Sequence, residues 1–577
     1  MRATIAGLTL GILLSGSSLA QVIYPINRAE ILAGSKFDLK VEFASIASAG
    51  ARVTVNGRDH AEALGRAATL MVREDDKDQS SLLLRDLSID VPGEYTITAT
   101  DGTASATVKW TVYAAPVARR AKNVILVIGD GMTPTNVTAA RMLQGNIHQG
   151  RYGRQLQIDS LPVTATVGTS GQDSIVTDSA NSASAYNTGH KSGVNALGVY
   201  ASRAAGTLDH PKVETLGEII KRRLNMAVGI VTNTEIQDAT PAAVFSHTRR
   251  RTDYIPITDQ MLTFAPDVTM GGGSATFLPQ ATAGSRRRDQ IDMIEAYKKA
   301  GYTFVEDAAG LAAAANPATT KLLGLFSLGN MDGVLDRFYL KKGNVPRFPN
   351  QPDLTDQVRV ALSVLERNPN GFYLMIESGM IDKYNHALDA ERAHYDTIML
   401  DQAVKVVMDW MGARNDTLLI VVADHAHGMG LYGTIDDAAA GEMVRDKVGV
   451  YAQSGEPTYG PADERGYPAD VNATRRLMTG YAATPDYYET FRPSLDGPRV
   501  PAVRSGPDGP YVANGKFNVP GSVMRSGNLP RDAEQGVHTA DDVILRATGP
   551  GSEIFRGFTD NTAVFRAMAE ALGLGRP

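Results

Sequence analysis

Four apolar runs of strand length, each followed by a side chain that can bind a metal ion, constrain the fold of this chain more than any other feature. The runs occupy residues 123–128, 226–232, 372–376 and 417–423, with amphipathic helical stretches between them. Near-continuous apolar strands separated by helices indicate a parallel sheet buried on both faces. We therefore predict an α/β fold with a largely parallel central sheet flanked by helices.

Each run leads into polar residues with metal-ligand chemistry. These residues are Asp130, Asp238 with Thr240, Glu377, and Asp424 with His425. In open α/β sheets, ligands bind beyond the carboxyl ends of the strands. Carboxylates crowded into one crevice are unfavourable without compensation, so the pattern implies bound cations. A single Asp or His is better interpreted as an exposed or structural residue, but the joint pattern favours a site.

The ligand types indicate which cations to expect. Asp382 and His386 are four residues apart, a spacing that puts both on one face of a helix, and His538 adds a further imidazole. The chain has no cysteine, so thiolate sites and cysteine nucleophiles are excluded. Mixed His and Asp ligands suit zinc, whereas all-oxygen ligands suit magnesium. The oxygen ligands are Asp130, Thr240 and Glu377.

Ser179 is the candidate nucleophile. It stands in a small, helix-compatible stretch, residues 177–185, and Gly189 is a plausible helix C-cap. A serine at a helix start lies beside free N–H groups and the positive end of the helix dipole, which favours an alkoxide and an incoming phosphate. Taken alone, it is better interpreted as a serine cap on a close-packed helix. It lacks the G-x-S-x-G context of a hydrolase triad, so a metal ion would have to deprotonate it.

At this point the motifs resemble those of the alkaline phosphatase family, in the family's order and over residues 122–577. The segments that carry the resemblance are Thr177-Asp-Ser-Ala180, Gly129-Asp-Gly-Met132, Gln237-Asp-Ala-Thr-Pro-Ala-Ala243, Glu377 through His386, Ala423-Asp-His-Ala-His427 and Gly536-Val-His-Thr539. The resemblance implies hydrolysis of phosphate monoesters through a phosphoserine at Ser179. It also implies a bacterial-type member of the family, because Asp238 is combined with Lys383.

The resemblance further implies a role for each site residue, with two zinc ions and one magnesium ion as cofactors. It assigns one zinc to Asp382, His386 and His538, and the second to Asp130, Asp424 and His425. It assigns the magnesium to Asp130, Thr240 and Glu377, with Asp238 in contact through water. Arg251, the last residue of an arginine triplet, would bind the phosphate, and Lys383 would reach it through water.

The chain divides into several predicted regions. Residues 1–20 have the pattern of a signal peptide, which predicts export to the periplasm or the extracellular space. Residues 22–115 show short alternating segments with turn signals between them, which favours a small all-β, immunoglobulin-like domain. Residues 122–577 are predicted to form the catalytic domain. Its apolar periodicity weakens between about 430 and 530, which indicates a long insertion.

Alternative functions come from two other classes. A phosphodiesterase, sulfatase or phosphonate hydrolase of the same superfamily is the main rival enzyme, and a non-enzymatic adhesion or carbohydrate-binding protein is the other. The net charge of −6 gives no support to nucleic-acid binding, and no stretch beyond the leader is long enough to span a membrane. The resemblance implies small phosphate monoesters as partners. A homodimer stays open, because the N-terminal region could cover or replace the family's interface.

Overall fold

The computed structural model describes residues 21–47, 50–436, 454–468, 472–529, 533 and 535–575. The predicted signal peptide lies outside the described residues. Among the helices that are described, none is both long and apolar enough to cross a membrane.

Residues 22–113 form two β-sheets that pack around one apolar core. One sheet has the strand order β1-β3-β7-β6 and the other has the order β2-β9-β8-β4-β5. The strands are β1 (Val22–Tyr24), β2 (Ala29–Leu32), β3 (Lys36–Glu42), β4 (Arg52–Val55), β5 (Arg58–Asp59), β6 (Thr69–Met71), β7 (Ser81–Ser88), β8 (Gly93–Thr100) and β9 (Ser105–Tyr113), with helix α1 (His60–Leu64). Trp110 and Phe37 pack edge to face between the sheets, with ring centroids 5.6 Å apart. The region is all-β apart from this short helix, and its immunoglobulin-like character stays a prediction.

The remaining strands build one large sheet and several small ones. In chain order they are β10 (Asn123–Gly129), β11 (Ile147–His148), β12 (Arg151–Tyr152), β13 (Val163–Gly168), β14 (Ala227–Glu235), β15 (Val268–Gly272), β16 (Thr303–Val305), β17 (Leu322–Leu325), β18 (Phe372–Ser378), β19 (Thr417–Ala423), β20 (Ala426–His427), β21 (Met429–Asp436), β22 (Arg475–Tyr481), β23 (Tyr487–Glu489), β24 (Ala502–Arg504), β25 (Tyr511–Ala513), β26 (Val523–Arg525), β27 (His538–Thr539), β28 (Val543–Thr548) and β29 (Gly557–Asp560).

Ten of these strands form the central sheet, in the order β16-β17-β15-β14-β18-β10-β19-β28-β13-β29. The four predicted apolar runs are its middle strands β14, β18, β10 and β19, which are parallel and buried along their whole length. The sheet is mixed, however, because β28 runs antiparallel to both of its neighbours. The parallel middle brings four strand ends to one edge, which is where the candidate ligands lie.

Helices flank this sheet. They are α2 (Pro134–Gly145), α3 (Ser179–Thr188), α4 (Leu216–Leu224), α5 (Ala239–Ala242), α6 (Tyr254–Phe264), α7 (Met293–Lys299), α8 (Ala308–Ala314), α9 (Leu354–Leu365), α10 (Met380–His386), α11 (Ala390–Met411) and α12 (Thr562–Ala571). Capping side chains start several of them: the Thr215 hydroxyl, for example, accepts a hydrogen bond from the Glu218 backbone N–H at the start of α4. Between 430 and 530, the described residues form the two-stranded pairs β21–β22, β23–β26 and β24–β25.

The central strand β10 makes a direct test of this architecture possible. Leu126 is fully buried in β10 between β18 and β19. Leu126→Ala is expected to lower the free energy of unfolding by about 2–5 kcal/mol, because it removes buried surface and leaves a cavity. Val91→Ala, at a site that is 67% exposed, is the control and should change it by less than about 0.5 kcal/mol. Equal effects in urea denaturation would contradict the assigned core.

Candidate active site

The candidate site lies at the carboxyl edge of the parallel strands. Asp130 follows β10, Glu377 lies near the end of β18, and Asp424 and His425 follow β19. Asp238 caps the short helix α5 after β14. All five of these residues are buried, none with more than 5% of its surface exposed. The strand-end side chains therefore lie buried at one edge of the sheet, as predicted.

Ser179 is the first residue of α3, next to this edge. Asp178 caps the helix by accepting a hydrogen bond from the backbone N–H of Asn181. The Ser179 hydroxyl donates to Asp130 Oδ1 over 3.3 Å and lies 3.1 Å from His425 Nε2. The candidate nucleophile thus stands at the positive end of a helix, in contact with two strand-end residues.

Three electron-rich atoms converge on one point beside the serine. His386 and His538 each place Nδ1 2.9 Å from a backbone carbonyl oxygen, of Gly536 and Thr177 respectively. Because a carbonyl oxygen only accepts, each Nδ1 carries a proton and donates it. Nε2 is then the atom of each ring whose lone pair can bind a metal ion. These Nε2 atoms are 3.0 Å apart, and each is 3.3 Å from Asp382 Oδ1. Such an arrangement is unfavourable unless a cation lies between the atoms, so the residues fit a bound metal ion.

His427 also belongs to this cluster, and no role for it was predicted. Its Nε2 lies 2.6 Å from Asp382 Oδ1. Ligand atoms of Asp382, His425, His427 and His538 all lie within 4.8 Å of one another. The signal in the sequence is the spacing of His425 and His427, because alternate residues of an extended segment point to the same side.

A second group of ligand atoms joins Asp130, Asp424 and His425, again within 4.8 Å. Asp424 accepts from the backbone N–H of Gly131 with Oδ1, while its buried Oδ2 has no hydrogen-bond partner in the described structure. Burial, and then the neighbouring Asp130 carboxylate, raise the pKa of Asp424 well above its usual value. A cation between these side chains would relieve both the repulsion and the unpaired oxygen.

A third, all-oxygen region lies beside Glu377. Burial, and then the charge of Asp130, raise the pKa of Glu377. Its Oε2 accepts hydrogen bonds from Thr232 and, over 3.0 Å, from Thr234. The hydroxyl of Thr240, in α5, is buried and has no partner among the described residues. An orphaned hydroxyl near acidic side chains has the chemistry of a magnesium ligand.

Two cationic side chains also belong to the site. Arg251 binds two carboxylates, with NH1 3.3 Å from Asp178 Oδ2 and NH2 2.7 Å from Asp238 Oδ1. Lys383 Nζ lies 2.9 Å from the other Asp238 oxygen. Burial alone would raise the pKa of Asp238, but the charges of Lys383 and Arg251 outweigh burial and lower that pKa. Burial alone would lower the pKa of Lys383, but the neighbouring carboxylates outweigh burial and raise that pKa.

The structure thus gathers the predicted site residues into one cluster. Ser179 contacts the Asp130 and His425 group, and Asp382 joins the histidines to Lys383. Lys383 also pairs with Asp238, and Asp238 pairs in turn with Arg251. The individual role of each residue stays a prediction.

Comparison with known proteins gives a consistent result. The family model described as alkaline phosphatase matches residues 121–574. The alkaline phosphatase of Escherichia fergusonii is 37% identical over 492 residues, covering 79% of this chain and 86% of the relative. Among solved structures, that of Thermus thermophilus alkaline phosphatase has a TM-score of 0.56 and 25% identity, covering 80% of this chain and 93% of its own. A TAB5 alkaline phosphatase variant with magnesium bound in its M3 site has a TM-score of 0.52 and 20% identity, covering 80% of this chain and 99% of its own.

Gly131 allows a test of how tightly the cluster is packed. It has φ +60°, and a Cβ atom there would lie 2.6 Å from the His427 ring. We expect Gly131→Ala to lower the free energy of unfolding by about 1–3 kcal/mol more than Gly57→Ala does. Gly57 has a similar φ of +79° but open space around it, so it reports backbone strain alone. Equal losses in urea denaturation would show that His427 is not packed against Gly131.

Proposed function

The chain belongs to the alkaline phosphatase family of phosphomonoesterases, and from this premise we propose that it hydrolyses phosphate monoesters through a covalent phosphoserine at Ser179. One observation supports this mechanism above the others. The Ser179 hydroxyl is buried at a helix N-terminus, within 3.3 Å of Asp130 and His425. The positive end of the helix dipole favours the alkoxide of a serine so placed, and the contacts with Asp130 and His425 put the hydroxyl beside the proposed second zinc, which would activate it.

The proposed cofactors are two zinc ions and one magnesium ion. Asp382, His386 and His538 would hold one zinc, and His427 would orient the Asp382 carboxylate. The other ions have oxygen-rich ligand sets: Asp130, Asp424 and His425 for the second zinc, and Asp130, Thr240 and Glu377 for magnesium. When bound, the cations supply Lewis-acid stabilisation of the oxygens that enter and leave phosphorus.

The side chains then have complementary roles in the reaction. Arg251 can bind two phosphate oxygens with its remaining N–H donors, and this orients the ester in line with Ser179. Attack by Ser179 Oγ forms the Oγ–phosphorus bond and releases the alcohol. Water then cleaves that bond and frees inorganic phosphate. Lys383, held against Asp238, adds positive charge where the transferring group becomes more negative.

The regions around this site have proposed roles as well. We assign residues 1–20 to an export signal, with the mature enzyme periplasmic or extracellular, and residues 22–115 to an immunoglobulin-like domain. The catalytic domain is residues 122–577, with an insertion at about 430–530. The β21–β22 and β23–β26 pairs support an ordered insertion, and the separate apolar core of residues 23–112 supports an independent N-terminal domain.

Replacement of the nucleophile tests the mechanism. Ser179→Ala is expected to reduce kcat for p-nitrophenyl phosphate by on the order of a thousandfold or more, because no other group can form the covalent intermediate. Chelation should abolish wild-type activity, and zinc with magnesium should restore it. A peptide carrying phosphorylated Ser179, trapped at acid pH and identified by mass spectrometry, should be present in wild type only.

The control for this experiment is Ser363→Ala, in α9, whose hydroxyl donates to the backbone of Val360. It should keep wild-type kcat. Bis-p-nitrophenyl phosphate is measured in parallel. A preference for the diester, or full activity in Ser179→Ala, would contradict the proposal and favour a phosphodiesterase of the same superfamily.

The magnesium assignment can be tested without an activity assay. Thr240→Val removes the orphaned hydroxyl and should weaken magnesium binding about 10- to 100-fold. After chelation and zinc readdition, magnesium should raise the unfolding temperature of the wild type but not of Thr240→Val at the same concentration. Thr269→Val is the matched control, because the Thr269 hydroxyl in β15 is also buried and has no hydrogen-bond partner among the described residues. Equal magnesium stabilisation of both variants would refute the assignment.

A further inference from the structure

A long irregular segment connects the N-terminal β region to the candidate site. Residues 194–214, here called the bridging loop, are all described and form no helix or strand apart from isolated bridges. Segments of this length normally lose their order unless they are anchored, because fixing each residue costs conformational entropy. The bridging loop is anchored at both ends, and the two anchors lie on different parts of the protein.

Arg203 is the principal anchor on the N-terminal side. Its guanidinium donates to Glu74 over 2.9 Å and to the backbone carbonyls of Phe43 and Ser80 over 2.6 Å each. Its own backbone N–H donates to Glu42 over 2.9 Å. One side chain of the bridging loop is thus bound by residues from several segments of the N-terminal region, in the fork geometry that only arginine provides.

The surroundings of Arg203 are buried and charged. Lys40 is fully buried, pairs with Glu42 over 2.9 Å and Glu74 over 2.6 Å, and donates to Ser202 over 3.1 Å. Without Arg203, the two carboxylates would be left with one cation in a buried site, which is unfavourable. The anchor is therefore a balanced network and not an isolated surface pair.

Farther along the bridging loop, backbone pairing extends the anchor. Asp38 and Lys212 are joined by backbone and side-chain hydrogen bonds of 2.8 and 2.9 Å. The backbone N–H of Glu214 donates to the Lys36 carbonyl over 2.8 Å, and the Glu214 carboxylate accepts from the Lys36 N–H. The end of the bridging loop therefore lies along strand β3 and is hydrogen-bonded to it.

The start of the bridging loop lies at the candidate phosphate site. The Asn195 backbone N–H donates to Asp178 Oδ2 over 3.1 Å, the same oxygen that Arg251 binds. The Arg251 backbone N–H donates to the Asn195 carbonyl over 2.8 Å. Leu197 and Thr248 exchange backbone hydrogen bonds of 2.8 and 2.9 Å. The bridging loop thus contacts both Arg251 and a carboxylate that orients its guanidinium.

We propose that Arg203 is a positioning residue for phosphate binding, through which the N-terminal β region holds the bridging loop and so fixes Arg251. The inference rests on the proposed role of Arg251 in binding the phosphate group. Loss of the anchor keeps the nucleophile and the proposed metal ligands but lets Asn195 shift, and with it the hydrogen bond to the Asp178 oxygen that also orients Arg251. Arg251 would hold the phosphate group in substrate, transition state and product alike, so its misplacement weakens binding of all of them and affects phosphate affinity more than turnover.

The experiment compares inhibition by inorganic phosphate in zinc- and magnesium-loaded enzyme. Arg203→Ala should raise both the Ki for inorganic phosphate and the KM for p-nitrophenyl phosphate roughly tenfold, with a much smaller change in kcat. Arg203→Lys retains the charge but not the fork and should give intermediate values. Arg52→Ala, which removes the same charge from an exposed position on β4 of the same region, should match wild type. Unfolding temperatures of all variants are measured alongside.

A double-mutant cycle separates positioning from general damage. In an Arg251→Ala background, Arg203→Ala should have no further effect on Ki, because the residue that it positions is gone. Additive effects would overturn the inference, as would a wild-type Ki in Arg203→Ala. If Arg203→Ala does not fold, a wild-type Ki in folded Arg203→Lys overturns it equally. A wild-type Ki in Arg251→Ala would instead refute the phosphate role on which the inference rests, and the inference with it.

Discussion

Repulsion among buried carboxylates at the carboxyl edge of the sheet is the constraint on which the whole site depends. Strands β10, β18 and β19 run in register and end together, so the backbone delivers Asp130, Glu377 and Asp424 into one dry crevice. Such a cluster is tolerated only on a scaffold that outweighs its cost and beside positive charge. The fully buried, mostly apolar middle strands provide the scaffold. Arg251, Lys383 and the proposed metal ions provide the charge.

The middle of the sheet and most of the ligand set could be predicted from the sequence because local rules apply there. Continuous apolar runs mark buried parallel strands, and the Asp382–His386 spacing marks one helical face. In strand β14 the apolar pattern ends before the strand itself does. The strand continues to Glu235, beyond the predicted run of residues 226–232, because the side chains of Asn233 and Thr234 hydrogen-bond to Asp396 and Glu377 in the interior.

Other features depend on contacts between distant segments and could not be predicted locally. The antiparallel direction of β28 is decided by its neighbours β13 and β19, and no residue within β28 encodes it. The short edge strands β1 and β6 in the N-terminal region are too brief for a clear alternation. The spacing from His425 marks His427 as a candidate, but its contact with Asp382 needed the fold, because only the approach of α10 brings that carboxylate to its ring.

The bridging loop adds a requirement that the metal cluster alone does not. A guanidinium has five N–H donors, and Arg251 commits donors on both terminal nitrogens to Asp178 and Asp238. The direction of the remaining donors therefore depends on where these two carboxylates stand. Asp238 is held at the start of α5, where it accepts a hydrogen bond from the backbone N–H of Ala239. Asp178, by contrast, shares its Oδ2 with the backbone of Asn195. With the proposed role of Arg251, phosphate geometry therefore also depends on the bridging loop, which the N-terminal β region anchors at its other end.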